Sequence, residues 1–304
     1  MQMLKLFVPG EQTVRHSKKE VKPTLVGLSA ILMWATLALL TKLSGAVPPF
    51  QLTALSFSIA FLVGLPRGFH RGKLLHHLKL PKQIWFIGVV GLFGYHFFYF
   101  MALRNAPAIE ASLIAYLWPL LIVLLSALLP NEKLRWFHII GALVSFIGTG
   151  ILVTKGKPFA FNLQYSLGYL SALICAFIWS SYSVLSKRFY FISSDAIVGF
   201  CGVTAILAWL CHRLFEQTVW PVGTQWIAVM CLGLGPIGLA FFTWDYGVKH
   251  GNIKVLGSLS YAAPLLSTIL LVAFRLEEAS SMIGLACLLI VGGAILATGD
   301  FLRN

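Results

Sequence analysis

Along the chain, apolar residues gather into ten stretches, each with room for roughly 20 mainly apolar residues, the length that crosses a ~30 Å hydrocarbon core as a helix. They run over 24–43, 50–66, 83–103, 109–129, 134–153, 166–186, 195–215, 225–247, 253–274 and 281–300. Polar residues and prolines punctuate them. Pro48-Pro49, Pro81, Pro107, Pro130 and Pro221 fall between stretches, where a missing backbone donor does least harm. The pattern predicts an all-α integral membrane protein of ten transmembrane helices, with 154–165 linking two sets of five.

The two sets share one register. Trp179 stands 145 residues after Trp34, and the same interval separates Lys187 from Lys42, Lys249 from Arg104, Tyr261 from Tyr116, Pro264 from Pro119 and Glu277 from Glu132. An internal repeat in a membrane chain points to a transporter whose substrate site lies between the halves. Five is odd, so the halves enter the membrane from opposite sides. The expectation is two inverted five-helix repeats, 24–153 and 166–300, flanked by tails 1–23 and 301–304.

Composition agrees: 58% of residues are hydrophobic and 11% charged, against about 25% charged in soluble domains. The net charge of +13 would otherwise suggest nucleic acid. Here 17 of the 23 Lys and Arg fall on the side of the termini, which puts both termini in the cytoplasm by the positive-inside rule and leaves no reason to expect a nucleic-acid partner. Leu4–Pro9 is too short for a signal-peptide core, so residues 1–23 read as a polar tail without a cleaved signal. Cys175, Cys201, Cys211, Cys231 and Cys287 lie in apolar stretches without metal-like spacing and read as small buried residues.

Few residues carry chemistry at membrane depth. His96 lies within the third stretch, in Gly94-Tyr95-His96-Phe97-Phe98-Tyr99. A polar side chain there needs a cavity or a bonded partner, and both readings stay open. Trp34 and Trp179 form a symmetric pair, and Tyr116 and Trp118 lie deep in the fourth stretch. Tyr95 and Tyr99 are four apart on one helix face, Trp244 takes the place of Tyr99 in the second repeat, and Tyr261 that of Tyr116. Together these residues suggest aromatic walls for an amphipathic ligand, since rings stack on rings and attract ammonium groups. Trp85, Trp136, Trp220 and Trp226, at span ends, fit an interfacial belt instead. Pro119 and Pro264 interrupt their helices at equivalent points, as paired hinges or as static kinks. Asp245, four residues before Lys249, reads as a local ion pair at the membrane surface, and Glu110 and Asp300 as cap or interfacial charges. No metal-ligand spacing is found, and no cofactor is expected.

Ala115-Tyr116-Leu117-Trp118-Pro119, Phe177-Ile178-Trp179-Ser180-Ser181-Tyr182 and the run from Trp244 through Gly247-Val248-Lys249-His250-Gly251-Asn252 resemble the drug/metabolite transporter superfamily with two EamA-type repeats, and within it the YddG-type aromatic amino acid exporters. The resemblance covers nearly the whole chain. It implies export of aromatic and other neutral amino acids across a bacterial inner membrane. It also implies a cavity between the repeats, with Trp34, Tyr95, His96, Tyr99, Tyr116, Trp118 and Trp179 at the matched positions.

The function expected is therefore a secondary transporter working by alternating access, facilitative or proton-linked. An exporter of another small metabolite, such as a purine, nucleotide sugar or amphipathic drug, is the alternative. An intramembrane enzyme would need a metal pair, an HExxH or a serine with a nearby base, and none of these motifs is present. The expected partners are an amino acid substrate and the lipid bilayer, with the protein acting as a monomer.

Overall fold

The computed structural model describes residues 18–70, 80–130, 132–158 and 162–303. Much of the N-terminal tail, most of the loop after the second span and part of the linker thus lie outside the described residues. Nine helices among the described residues are long and apolar enough to cross a membrane. They are α1 (Glu20–Leu43), α2 (Pro49–Pro66), α3 (Lys82–Asn105), α4 (Ala108–Leu128), α5 (Trp136–Thr154), α6 (Leu163–Arg188), α7 (Ala196–Phe215), α8 (Gln225–His250) and α9 (Ile253–Ala273). The tenth predicted stretch coincides with α10 (Met282–Arg303), whose apolar part, Met282–Thr298, is shorter. No strand occurs among the described residues. Large apolar side chains such as Leu62, Ile206 and Leu288 lie exposed, as a lipid-facing surface requires.

Helix interruptions repeat with the register. α3 carries a π-turn at Val90–Gly94 and α8 one at Gly235–Leu239, 145 residues apart. α4 breaks between Ala115 and Trp118, and α9 between Leu259 and Ala262. Each break lies just before a proline, because Pro119 and Pro264 have no N–H to give the carbonyls of Ala115 and Ser260 four residues back. The prolines therefore set the place of a break and themselves sit in the first turn of the helix that follows. One interruption has no image. α1 breaks at Thr36, whose hydroxyl donates to the Met33 carbonyl at 2.7 Å, whereas α6 is continuous from Ser166 to Arg188, through the equivalent Ser181.

Packing is twofold as well. α5 packs on α10 and α2 on α7, while α1 packs on the second half of α8 and α6 on the second half of α3. A shift of 145 turns the first two pairs into themselves and exchanges the last two. At the α5–α10 crossing, Ser145 donates to the Ile290 carbonyl at 3.2 Å, its own image position. The helices approach so closely that a Cβ on Gly293 would stand 2.5 Å from the Gly141 carbonyl oxygen and 2.4 Å from Ser145 Oγ. Small residues permit such approach where apolar burial against lipid gives no driving force. Gly293→Val is expected to cost about 1–3 kcal/mol, read as a lower unfolding temperature in detergent. An unchanged temperature would mean that the crossing is looser than described.

The face at which α1 begins is here called proximal and the opposite face distal. Twofold packing fails between them at two places. On the proximal side the second half of α6 packs on that of α8, and the second half of α4 on the first half of α9. On the distal side, the image segments of α1, α3, α4 and α9 all line a cavity.

Candidate functional site

The cavity has a volume of about 670 Å³, within the ~300–1,000 Å³ typical of small-molecule sites. It reaches from the middle of the protein to the distal face between the halves of the repeat. Trp34, Tyr95, His96, Tyr99, Tyr116, Trp118 and Trp179 all line it.

Its floor is a set of interlocked rings. Trp34 meets Trp118 and Trp179 edge-on, with centroids 6.1 and 5.6 Å away, and its Nε1 donates to the Pro236 carbonyl at 3.0 Å. That acceptor belongs to the π-turn of α8, so an irregular turn in one repeat orients an indole of the other. Phe241 closes the ring set, 5.5 Å from Trp179 and 6.2 Å from Trp34. The π-turn of α3 leads directly into Tyr95 and His96. Tyr95 and Tyr99 lie parallel, 6.0 Å apart, and Tyr99 shares a 3.4 Å hydrogen bond with Ser112 across to α4. The break in α4 brings Tyr116 and Trp118 to the same wall.

His96 satisfies both of the readings left open by the sequence: it lines the cavity and it is bonded. Nδ1 lies 2.7 Å from the Leu92 carbonyl. A carbonyl only accepts, so Nδ1 carries a proton and Nε2 of the neutral ring is left as an acceptor. Phe57 packs edge-on against the imidazole at 5.3 Å. The lining contains Lys42 and no carboxylate. Lys42 sits at the distal mouth, where its ammonium donates to the Leu276 carbonyl at 2.7 Å. The site thus offers ring faces, hydroxyls, one imidazole acceptor and one cation.

Two expected site residues stand elsewhere. Trp244 is fully buried beneath the floor, 5.1 Å from Trp34, and its Nε1 donates to Ser183 Oγ at 3.0 Å. Tyr261 is also fully buried, and its hydroxyl accepts from the Leu120 backbone at 3.2 Å. Both lie on the closed, proximal side of the asymmetry. Of the four tryptophans expected at the interface, Trp136, Trp220 and Trp226 are exposed. Trp85 instead packs edge-on against Phe200 of α7. Cys231 departs from the expectation of burial and is exposed.

Sequence reasoning passed over Thr53, Ser112, Ser267, Phe241 and the Pro236 carbonyl, all at cavity-lining residues. Phe241 was findable, because it stands 145 residues after His96. The small hydroxyl residues carried no signal.

Ion pairs bridge the closed proximal side. Lys187 lies 3.2 Å from Glu132 and donates to the Gly251 carbonyl at 2.7 Å. Lys254 pairs with the same carboxylate at 2.7 Å. Burial alone would raise the Glu132 carboxyl, but the charge of Lys187 and the hydrogen bond and charge of Lys254 outweigh it and hold it below its ordinary value. Deeper in, Asp245 and Lys249 form the expected i,i+4 pair at 2.6 Å. It is almost wholly buried and not at the surface, because α6 covers it: the Tyr182 hydroxyl reaches the carboxylate at 3.5 Å.

The model of the EamA-like transporter family matches the chain twice, over residues 22–154 and 166–299. An aromatic amino acid exporter, YddG of Ancylobacter novellus, is 55% identical over 276 residues, covering 90% of this chain and 96% of that protein. A biotin transporter of Salmonella typhimurium is 26% identical, covering 74% of this chain and 76% of its own length. A crystal structure of a protein 54% identical superposes with a TM-score of 0.87 and covers 93% of this chain and 99% of that one. The chain belongs to the EamA-like transporter family and is a multi-pass membrane protein.

Proposed function

We propose that the protein exports aromatic amino acids, and other neutral ones, across a bacterial inner membrane. It does so through ten spans in two inverted repeats, 24–153 and 166–300, with both termini in the cytoplasm. The observation that carries this reading is the ring-floored cavity between the repeats, which reaches the distal face. Its walls suit the side chain of a tryptophan or phenylalanine, and ring faces attract the ammonium. The acceptor on His96, the hydroxyls of Tyr99 and Tyr116 and the cation of Lys42 complete a site for a zwitterion. The 55% identity to an aromatic amino acid exporter supports the same substrate class.

In this reading the distal face is periplasmic and the described state is open outward. Export requires the proximal face to open in turn, with α4 and α9 bending at the breaks before Pro119 and Pro264. The absence of a carboxylate from the lining of the open cavity favours facilitated transport, and His96 is the lining group whose ordinary pKa lies nearest neutrality.

The test is uptake into proteoliposomes of labelled tryptophan, phenylalanine, threonine, biotin and a nucleotide sugar, with and without a pH gradient. Saturable transport of the aromatic amino acids is expected. Transport of biotin or the nucleotide sugar with no transport of any neutral amino acid would overturn the substrate assignment. Trp118→Ala is expected to lower aromatic transport about five- to thirtyfold, because one lost ring contact is worth ~1–2 kcal/mol and each ~1.4 kcal/mol is a factor of ten. Unchanged transport by well-folded Trp118→Ala would remove that wall from the site.

A further inference from the structure

The open cavity has an image on the other side of the molecule. Shifted by 145 residues, Leu37, Ala38, Thr41, Tyr99, Phe100 and Tyr116 of its lining become Tyr182, Ser183, Ser186, Trp244, Asp245 and Tyr261. All six images are buried. A surface destined only for packing has little use for so many hydroxyls and a carboxylate, since each buried polar group must find a partner. Four of them meet across the α6–α8 seam, Trp244 with Ser183 and Asp245 with Tyr182, and Tyr261 bonds the Leu120 backbone. The equivalent seam between α1 and α3 is the one parted by the cavity, beside the break at Thr36 that α6 lacks.

We propose that the proximal half conceals a second vestibule, the 145-residue image of the open cavity, in which Asp245 binds the ammonium group of the incoming amino acid. The proposal rests on the reading of the chain as an amino acid exporter. When α6 leaves α8, Tyr182 is drawn off and the Asp245 carboxylate becomes accessible. At present it holds the ammonium of Lys249 at 2.6 Å. A substrate ammonium exchanges one cation for another, so the buried carboxylate is never left without a counter-charge. The lining of the open cavity has no carboxylate, and the image of Asp245 there is Phe100. The same substrate thus meets an ion pair on the side of loading and ring faces on the side of release. The arrangement also gives Trp244 and Tyr261 a place in the site, as walls of the vestibule that is closed here.

Two measurements test this in proteoliposomes first shown to carry phenylalanine. The first compares transport of phenylalanine with that of 3-phenylpropionate, which lacks the amine, in the native protein and in Asp245→Asn/Lys249→Gln. The double substitution removes both buried charges together. Native protein is expected to prefer phenylalanine, and the variant to lose about tenfold or more of that preference. A variant that transports and retains the full preference overturns the proposal. The second places Ser183→Cys in a background with Cys175, Cys201, Cys211, Cys231 and Cys287 replaced by alanine. A charged thiol reagent supplied on the proximal side is expected to modify it, more slowly when phenylalanine is present. Thr204→Cys, equally buried but outside the vestibule, should resist. A transporting Ser183→Cys protein that never reacts overturns the proposal. If the charge variant moves neither compound, the Ser183→Cys result decides in the same way. Failure of the native protein to carry any aromatic amino acid is a different outcome, which overturns the exporter reading itself.

Discussion

Trp179→Ala is expected to abolish measurable transport of tryptophan while leaving a folded but less stable protein. Trp179 lies at the centre of the ring floor, 5.6 Å from Trp34, 5.8 Å from Tyr95, 5.5 Å from Phe241, 5.2 Å from Tyr182 and 6.2 Å from Trp244. Truncating a buried tryptophan costs about 3–5 kcal/mol through lost contacts and the void left behind. The functional loss has a second source. Trp179 belongs to α6, the helix whose second half closes the proximal side, so its ring separates the open cavity from the buried Tyr182–Asp245 seam. Without it the floor no longer seals one side while the other is open. Trp179→Phe keeps a ring against Trp34 and Phe241 and is expected to retain part of the transport. The measurements are uptake in proteoliposomes, substrate binding in detergent and the unfolding temperature. If Trp179→Ala matches the native protein in uptake, the ring floor is not the substrate site.

The sequence made the helices and the cavity walls legible because their signals are local. Hydropathy marks spans, since a helix in lipid must satisfy its backbone internally and be apolar along its length. Predicted and observed ends differ by no more than four residues, as at α1, which begins at Glu20 against a predicted 24. Seven of the nine expected site residues line the cavity because aromatic and imidazole side chains at membrane depth are costly without a use. What stayed hidden is the state of the molecule. The register assigns Trp244 and Tyr99 equivalent places, yet one is buried and the other lines the cavity. A repeat encodes two equivalent halves and does not say which end is closed. The Asp245–Lys249 pair was legible as a pair for the same local reason, its i,i+4 spacing, while its burial depends on α6, some 60 residues away in sequence.

Glu132→Gln is expected to open the proximal face. Its carboxylate holds Lys187 at 3.2 Å and Lys254 at 2.7 Å, with all three side chains less than one-fifth exposed (17, 16 and 10%). Removing it leaves two partly buried cations facing each other. Breaking a buried pair in this way costs about 3–5 kcal/mol, so the closed arrangement loses about a hundredfold or more in population at ~1.4 kcal/mol per tenfold. The image residue gives the contrast. Glu277 pairs with Lys155 at the open distal face, where their side chains are 33 and 51% exposed and such pairs contribute ~0–1 kcal/mol. Glu277→Gln should therefore leave the proximal face shut. Spin labels at the exposed positions Ser193 and Lys133 read the proximal opening as a longer distance in Glu132→Gln and an unchanged one in Glu277→Gln. The sign of the pH dependence follows from the carboxyl being held below its ordinary value. A depressed carboxyl stabilises the closed face fully above its ordinary pKa and loses that effect as pH falls through the depressed one. The label distance is accordingly flat from neutral pH down to the ordinary carboxylate range and lengthens only below it. A lengthening that begins near pH 6.5 would assign the latch to a histidine, and an unchanged distance in Glu132→Gln would show that apolar packing of α6 on α8 holds this face shut without help from charge.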